Sequence, residues 1–244
     1  MPTLPLVFAL IGLHFGRYLV SAGGAWLFFF GWKRNPMTAT RRLQPGPFRR
    51  EDLQRELLAS AVTAVLFGTL FGVVFGGQQP VRLSHSGLGG VLEFSAWLGA
   101  IVLLHDTYFY WSHRLLHHRL VFPHVHALHH RSTNPSAFAA LAFHPLEAVM
   151  QVIWAVPLAL VPIPSLVWLA FSFLAIFVNV LGHCGVEPCP LSWLQHPVLK
   201  WLNFATMHNR HHLHFEGNFG LYFSVWDRLM GTNSAPAERT TRTT

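Results

Sequence analysis

Between Leu57 and Gly77 the chain runs for twenty-one residues without a charged side chain, close to the roughly 20 that a helix needs to cross a bilayer. In hydrocarbon no water can satisfy a bare N–H or C=O, so such a run crosses as a helix. Gly68, Gly72 and Gly76 recur at a spacing of four within it, a ridge of small residues that lets another helix approach closely. The ridge is read as internal packing, with a dimer seam as the alternative.

Other runs agree. Leu4 to Gly31 is long enough to cross, although His14 and Arg17 interrupt it. A charge within a span usually faces a bundle interior or water, so Arg17 meets either an anionic group of a ligand or, by snorkelling, an interface. The N-terminus has no basic stretch ahead of the apolar run, so Leu4 onward is read as a retained span. Val91 to Leu104 continues as a helix towards His117. Ala148 to Val161 and Ser165 to Leu181 flank Pro162-Ile163-Pro164 and are short enough to be tilted crossings or a shallow hairpin. Only 11% of residues are charged, against about 25% in soluble domains. The expected fold is therefore all-α, an integral membrane bundle of about four to five spans. Residues 1–90 form N-terminal spans, 91–233 the functional unit and 234–244 a disordered tail.

The formal charge of +7 would raise nucleic acid as a partner in a soluble chain, but no such motif is present and the basic residues sit beside apolar runs. Lys33, Arg34, Arg41, Arg42, Arg49 and Arg50 crowd the loop from Trp32 to Leu53, whereas the loop from Gln78 to Gly90 holds only Arg82. The positive-inside bias puts the first loop in the cytoplasm. Counting spans onward puts the region after His105, the tract beside His183 and the C-terminus there too. Cys184 and Cys189 have no metal or disulfide spacing and are read as reduced.

Fifteen of the seventeen histidines lie between His105 and His214. They gather as His113-Arg-Leu-Leu-His117, His126-Ala-Leu-His129-His130 and His208-Asn-Arg-His211-His212. On a helix, spacings of three and four bring rings onto one face. Eight imidazoles exceed what one tetrahedral or octahedral ion takes, which suggests two metals. No cluster contains Cys, as structural zinc sites usually do, and HExxH is absent. Iron, copper, zinc and nickel all suit imidazole; a dinuclear non-haem iron site best uses so many histidines beside a membrane.

The residues around these clusters resemble the fatty acid hydroxylase superfamily, which includes the sterol desaturases. The likeness runs from His105 to Thr232. It rests on Asp106-Thr-Tyr-Phe-Tyr-Trp-Ser-His-Arg-Leu-Leu-His-His118, His124-Val-His-Ala-Leu-His-His130, Phe143-His-Pro-Leu-Glu147, Gly182-His-Cys-Gly185, His208-Asn-Arg-His-His212, Asn218-Phe-Gly220 and Trp226-Asp-Arg228 leading to Gly231-Thr232. The resemblance implies a membrane oxygenase with two iron ions under a cytoplasmic, histidine-rich helical cap. By position, His113, His117, His126, His129, His130, His208, His211 and His212 match the family's motif ligands, and His144 and His183 match further histidines. His105, His118, His124 and His214 stand beside the clusters and are left out, and His14, His85 and His196 are read as non-metal. Pro123 implies that the second cluster's helix begins near His124. Asp106, Glu147 and Asp227 are the carboxylates placed to orient ligating rings; ordinary capping or pairing with Arg114, Arg210 or Arg228 is the alternative.

The function expected is O2-dependent hydroxylation or desaturation of a fatty acyl or sterol-like C–H bond. With no GxGxxG fingerprint and no Cys set for an iron–sulfur cluster, electrons come from a separate ferredoxin, cytochrome or flavoprotein reductase. The alternative is a histidine-rich metal transporter or metal-binding membrane protein, whose ligands would lie within the spans.

Overall fold

The structure, a computed structural model, describes residues 3–31, 35–44, 46–76 and 81–234. Lys33 and Arg34 of the basic loop, Gly77 at the end of the uncharged run, and residues 235–244 of the expected tail lie outside the described residues. The described fold is helical, with two isolated β-bridges and no strand.

Helix α1 (Leu4–Trp26) continues through a π turn, Leu27–Gly31, and is followed by the short α2 (Pro36–Arg41), α3 (Arg50–Phe75) and α4 (Gly87–Leu116). Two four-residue helices follow, α5 (Phe122–Val125) and α6 (Ala127–His130), then α7 (Pro145–Ile153) and α8 (Ser165–His183). The chain closes with α9 (Ala205–His214) and α10 (Val225–Leu229). Leu4–Gly31, Arg50–Phe75, Gly87–Leu116 and Ser165–His183 are long and apolar enough to cross a membrane, and Pro145–Leu160 is a shorter apolar stretch. Ser165 N donates to Val81 O at 2.9 Å, beyond the C-terminal end of α3. The stretch from Pro145 to Pro164 therefore traverses the bundle and α8 returns.

Side chains on α1 and α3 show why these helices pair. A Cβ at Gly68 would overlap the Ile11 backbone, and one at Gly72 would press on Val7. The glycine ridge thus seats α1 within the same chain, where close backbone approach supplies the dispersion contacts that lipid cannot out-compete. The single-turn segment Ala137–Leu141 is buried between α1, α3 and α8. Its carbonyls are met by side chains: Tyr18 Oη and Ser60 Oγ donate to Phe138 O at 3.0 and 2.8 Å, and Asn179 Nδ2 donates to Ala140 O. Irregular backbone at this depth persists because protein groups replace water.

The loop carrying Arg41 and Arg42 folds against the end of the bundle that bears the histidine clusters. Leu43 N donates to Gly185 O at 3.0 Å, and Gln44 Nε2 reaches Thr133 O at 2.7 Å and Asn209 Oδ1 at 3.1 Å. Basic loop and clusters therefore share one side.

Candidate metal centre

The first two histidine clusters, and His183, lie where a helix ends or breaks. His113 sits in the last turn of α4 and His117 caps it, while His183 is the final residue of α8. His126 falls at the break between α5 and α6, with His129 and His130 in the second piece. The helix around Pro123 begins at Phe122, not His124, because proline is tolerated in a helix's first turn where its missing N–H has no partner to lose. His208, His211 and His212 come from α9.

These segments bring nine imidazoles into two groups. One holds His113, His117, His126, His130 and His211; the other holds His129, His183, His208 and His212. In each group one nitrogen per ring lies within 4.8 Å of all the others. The partition cuts across the sequence clusters. In both HxxHH segments the i, i+4 pair (His126 with His130, His208 with His212) serves one group, and the middle histidine (His129, His211) serves the other. His144 joins neither: half-exposed, it caps α7 and accepts from Leu146 N at 3.3 Å. His118, His124 and His214 are exposed and outside both groups.

The outward nitrogens explain how the rings are aimed. Nδ1–H donates from His113 to Phe219 O at 2.9 Å, from His183 to Asn179 O at 2.8 Å, from His211 to Gly217 O at 2.7 Å and from His212 to Ser132 O at 3.1 Å. His126 Nδ1 lies 2.9 Å from Glu147 Oε1. With Nδ1 carrying the proton, each of these rings presents an Nε2 lone pair to the interior. Those lone pairs face one another: His113 to His126 at 3.1 Å, and His183 to His212 at 3.1 Å. Two acceptors at that distance repel unless a cation lies between them. The spacing is the edge of a coordination polyhedron with metal–nitrogen bonds of about 2.1 Å. His117, whose buried Nε2 has no hydrogen-bond partner among the described residues, belongs to the same five-histidine group. The residues fit two metal ions.

Electrostatics agree. Burial, reinforced by the neighbouring imidazoles, holds His126, His129, His130, His208, His211 and His212 well below the ordinary value of 6.5, and His117 at about 2. They are neutral, the form that ligates. The His126–Glu147 pair is least costly when a positive charge lies on the Nε2 side of the ring.

Among the described residues, neither Asp106 nor Asp227 is hydrogen-bonded to an imidazole. Asp106 accepts from Tyr222 N at 2.9 Å and Phe223 N at 3.2 Å; Asp227 accepts from Phe219 N at 2.9 Å and Gly220 N at 2.8 Å. They pin the segment whose carbonyls hold His113 and His211, and among the described ion pairs neither is bound to an arginine. That segment turns back after α9 through Phe215, Gly217 and Asn218, all at positive φ. At Gly217 a Cβ would also strike Thr232 O. These carbonyl partners were invisible in the sequence, since a C=O has no residue identity; positive-φ glycine beside the Asn218-Phe-Gly220 motif was the available signal.

An apolar cavity of about 390 Å³ lies between α1, α3, α4 and α8. Its wall includes Phe109, Phe143 and Asn179. The Phe109 and His113 rings are 5.2 Å apart, as are those of Phe143 and His129, so the cavity abuts both groups. His105 also lines it, buried and 2.9 Å from Tyr222 Oη through Nδ1.

A family model described as Fatty acid hydroxylase matches residues 98–232. Among similar proteins, a Delta(7)-sterol 5(6)-desaturase of Gibberella zeae is 39% identical over 141 residues, 56% of this chain and 37% of that protein. Lathosterol oxidase of Homo sapiens is 31% identical over 159 residues, 63% of this chain and 51% of its own length. A second Gibberella zeae Delta(7)-sterol 5(6)-desaturase is 29% identical over 228 residues, 90% of this chain and 65% of that protein. The chain thus spans less than two thirds of each of these relatives. No solved structure matches it.

Proposed function

Because the chain belongs to the fatty acid hydroxylase family, we propose that it is a membrane oxidoreductase that uses two iron ions and O2 to hydroxylate or desaturate a C–H bond of a lipid. The observation that carries this reading is the contact between an apolar, bilayer-depth cavity and two all-histidine groups. His113, His117, His126, His130 and His211 would hold one ion, and His129, His183, His208 and His212 the other. When bound, the iron pair supplies the redox chemistry with O2 that an unactivated C–H bond requires.

The chain's own residues do the rest. Backbone carbonyls and Glu147 fix the tautomer and angle of five of the nine rings, so much of the donor set is organised before any ion enters. Phe109 and Phe143 exclude water between cavity and histidines and position the carbon. Hydroxylation consumes O2, two electrons and two protons and yields an alcohol and one water; desaturation consumes the same and yields an alkene and two waters. The electrons come from a separate redox protein, and its docking surface is the basic face with exposed Arg131 and half-exposed Arg210 beside the clusters. Positive-inside bias puts this face in the cytoplasm. A transporter needs ligands spaced through the bilayer, whereas these nine sit at the ends of α4 and α8 and beyond them, which favours the enzyme.

The test is lipid profiling of a host expressing the chain or its His129→Ala variant. A new hydroxylated or unsaturated lipid that disappears in the variant supports the assignment. An identical product pattern from both defeats it.

A further inference from the structure

Arg17 lies halfway along Leu4–Gly31, lines the apolar cavity and is only 7% exposed. A snorkelling arginine would run to an interface; this one crosses inside the bundle to α8. Its guanidinium carries five N–H groups. One donates to Ser172 O, another to His14 Nδ1 at 2.6 Å, and Nε has no partner among the described residues. Both acceptors are uncharged, and none of the ion pairs among the described residues includes Arg17. His14, accepting through Nδ1, is a neutral ring whose Nε2–H is a further donor, and it lines the same cavity. A cation this deep is expensive without a counter-charge, and partners of intramembrane charges mark ligand paths.

We propose that Arg17, with His14, is the recognition site for an ionised carboxylate, and that the cavity takes a long-chain free carboxylic acid in preference to an ester or a neutral sterol. The proposal rests on the reading of this cavity as the lipid site. A carboxylate supplies both the negative charge and the paired acceptors that a guanidinium lacks here; an ester or alcohol oxygen accepts a hydrogen bond but brings no charge. Ser172 precedes Asn179 by two turns of α8, about 10 Å, and the Asn179 carbonyl aims His183. An acid group held at Arg17 is thus remote from the histidines, and the carbons next to it are not those presented for oxidation.

Trp154 and Trp168 line the cavity and report its occupancy. Purified full-length protein in detergent is titrated with dibrominated stearic acid and, separately, with its methyl ester, whose bromines quench tryptophan fluorescence. The acid is expected to bind at least about tenfold more tightly than the ester, the advantage of hydrogen bonds to a charged partner. Arg17→Gln should bring the acid down to the ester's affinity and leave the ester unmoved, while Arg17→Lys retains part of the preference. Unchanged ester binding shows that the variant is folded. Equal affinity for acid and ester in the unaltered protein, equal weakening of both by Arg17→Gln, or no quenching by the acid overturns the proposal. The titration needs neither O2 nor turnover, so its result stands apart from that of the lipid profiling.

Discussion

The two ends of the cavity treat buried polar groups in opposite ways. At the histidine end, five of the nine rings have their outward nitrogen held by a carbonyl or by Glu147, and the inward lone pairs converge. At the Arg17 end, a guanidinium is met by one carbonyl and one imidazole and, among the described residues, by no carboxylate. The first arrangement is organised by the chain in advance; the second leaves charge to be answered by whatever enters. On the reading proposed here, the end that the chain largely satisfies from within does the chemistry, and the end whose charge it leaves unanswered recognises the lipid.

The contrast can be broken from the histidine end first. His129→Ala removes one ring of the four-histidine group. It should cut bound metal, measured by mass spectrometry, from about two ions per chain to about one, with activity falling below about 1%. Loss of both ions in step would show that the groups are not separable.

Glu147→Gln preserves shape but removes the charge behind His126, and should weaken metal affinity by about tenfold, the lower end for groups that orient a ligand. A chelator competition titration reads this directly, and an unchanged affinity would mean that Glu147 only fills space.

Acid should act through the same rings. With His117 at about 2 and its neighbours far below 6.5, the folded chain stays unprotonated while the unfolded chain takes up protons below about pH 6.5. Stability and metal retention are thus full above that value and fall as pH drops towards 5. Thermal melts across that window test the sign; a flat profile contradicts the neutral, buried cluster.

The smallest effect belongs to the surface. Arg131→Gln with Arg210→Gln should slow turnover several-fold with a protein electron donor, mainly at low salt, and leave turnover with a chemical reductant unchanged. Equal slowing with both donors defeats the docking surface.

Helix identity and a donor set able to hold metal were legible from residues alone. An uncharged run long enough for a bilayer can satisfy its backbone only as a helix, and a pile of imidazoles without Cys limits what it can bind. Gly68 and Gly72 announced a close approach, but only packing named Ile11 and Val7 as the neighbours. Likewise His144 shares the motif's chemistry yet caps α7, because Pro145 starts a helix whose first N–H groups need an acceptor.

Local periodicity paired His113 with His117 and His208 with His212 at i, i+4, since that geometry is a property of the backbone itself, but it did not separate His129 and His211 from their neighbours. Tertiary structure decided the partition into five and four, the carbonyls behind the rings, and the turning of Arg17 into a cavity. Those depend on how distant segments meet. Nearest-neighbour chemistry carries no record of such meetings, because the atoms responsible are main-chain oxygens and empty volume, neither of which has a letter in the sequence.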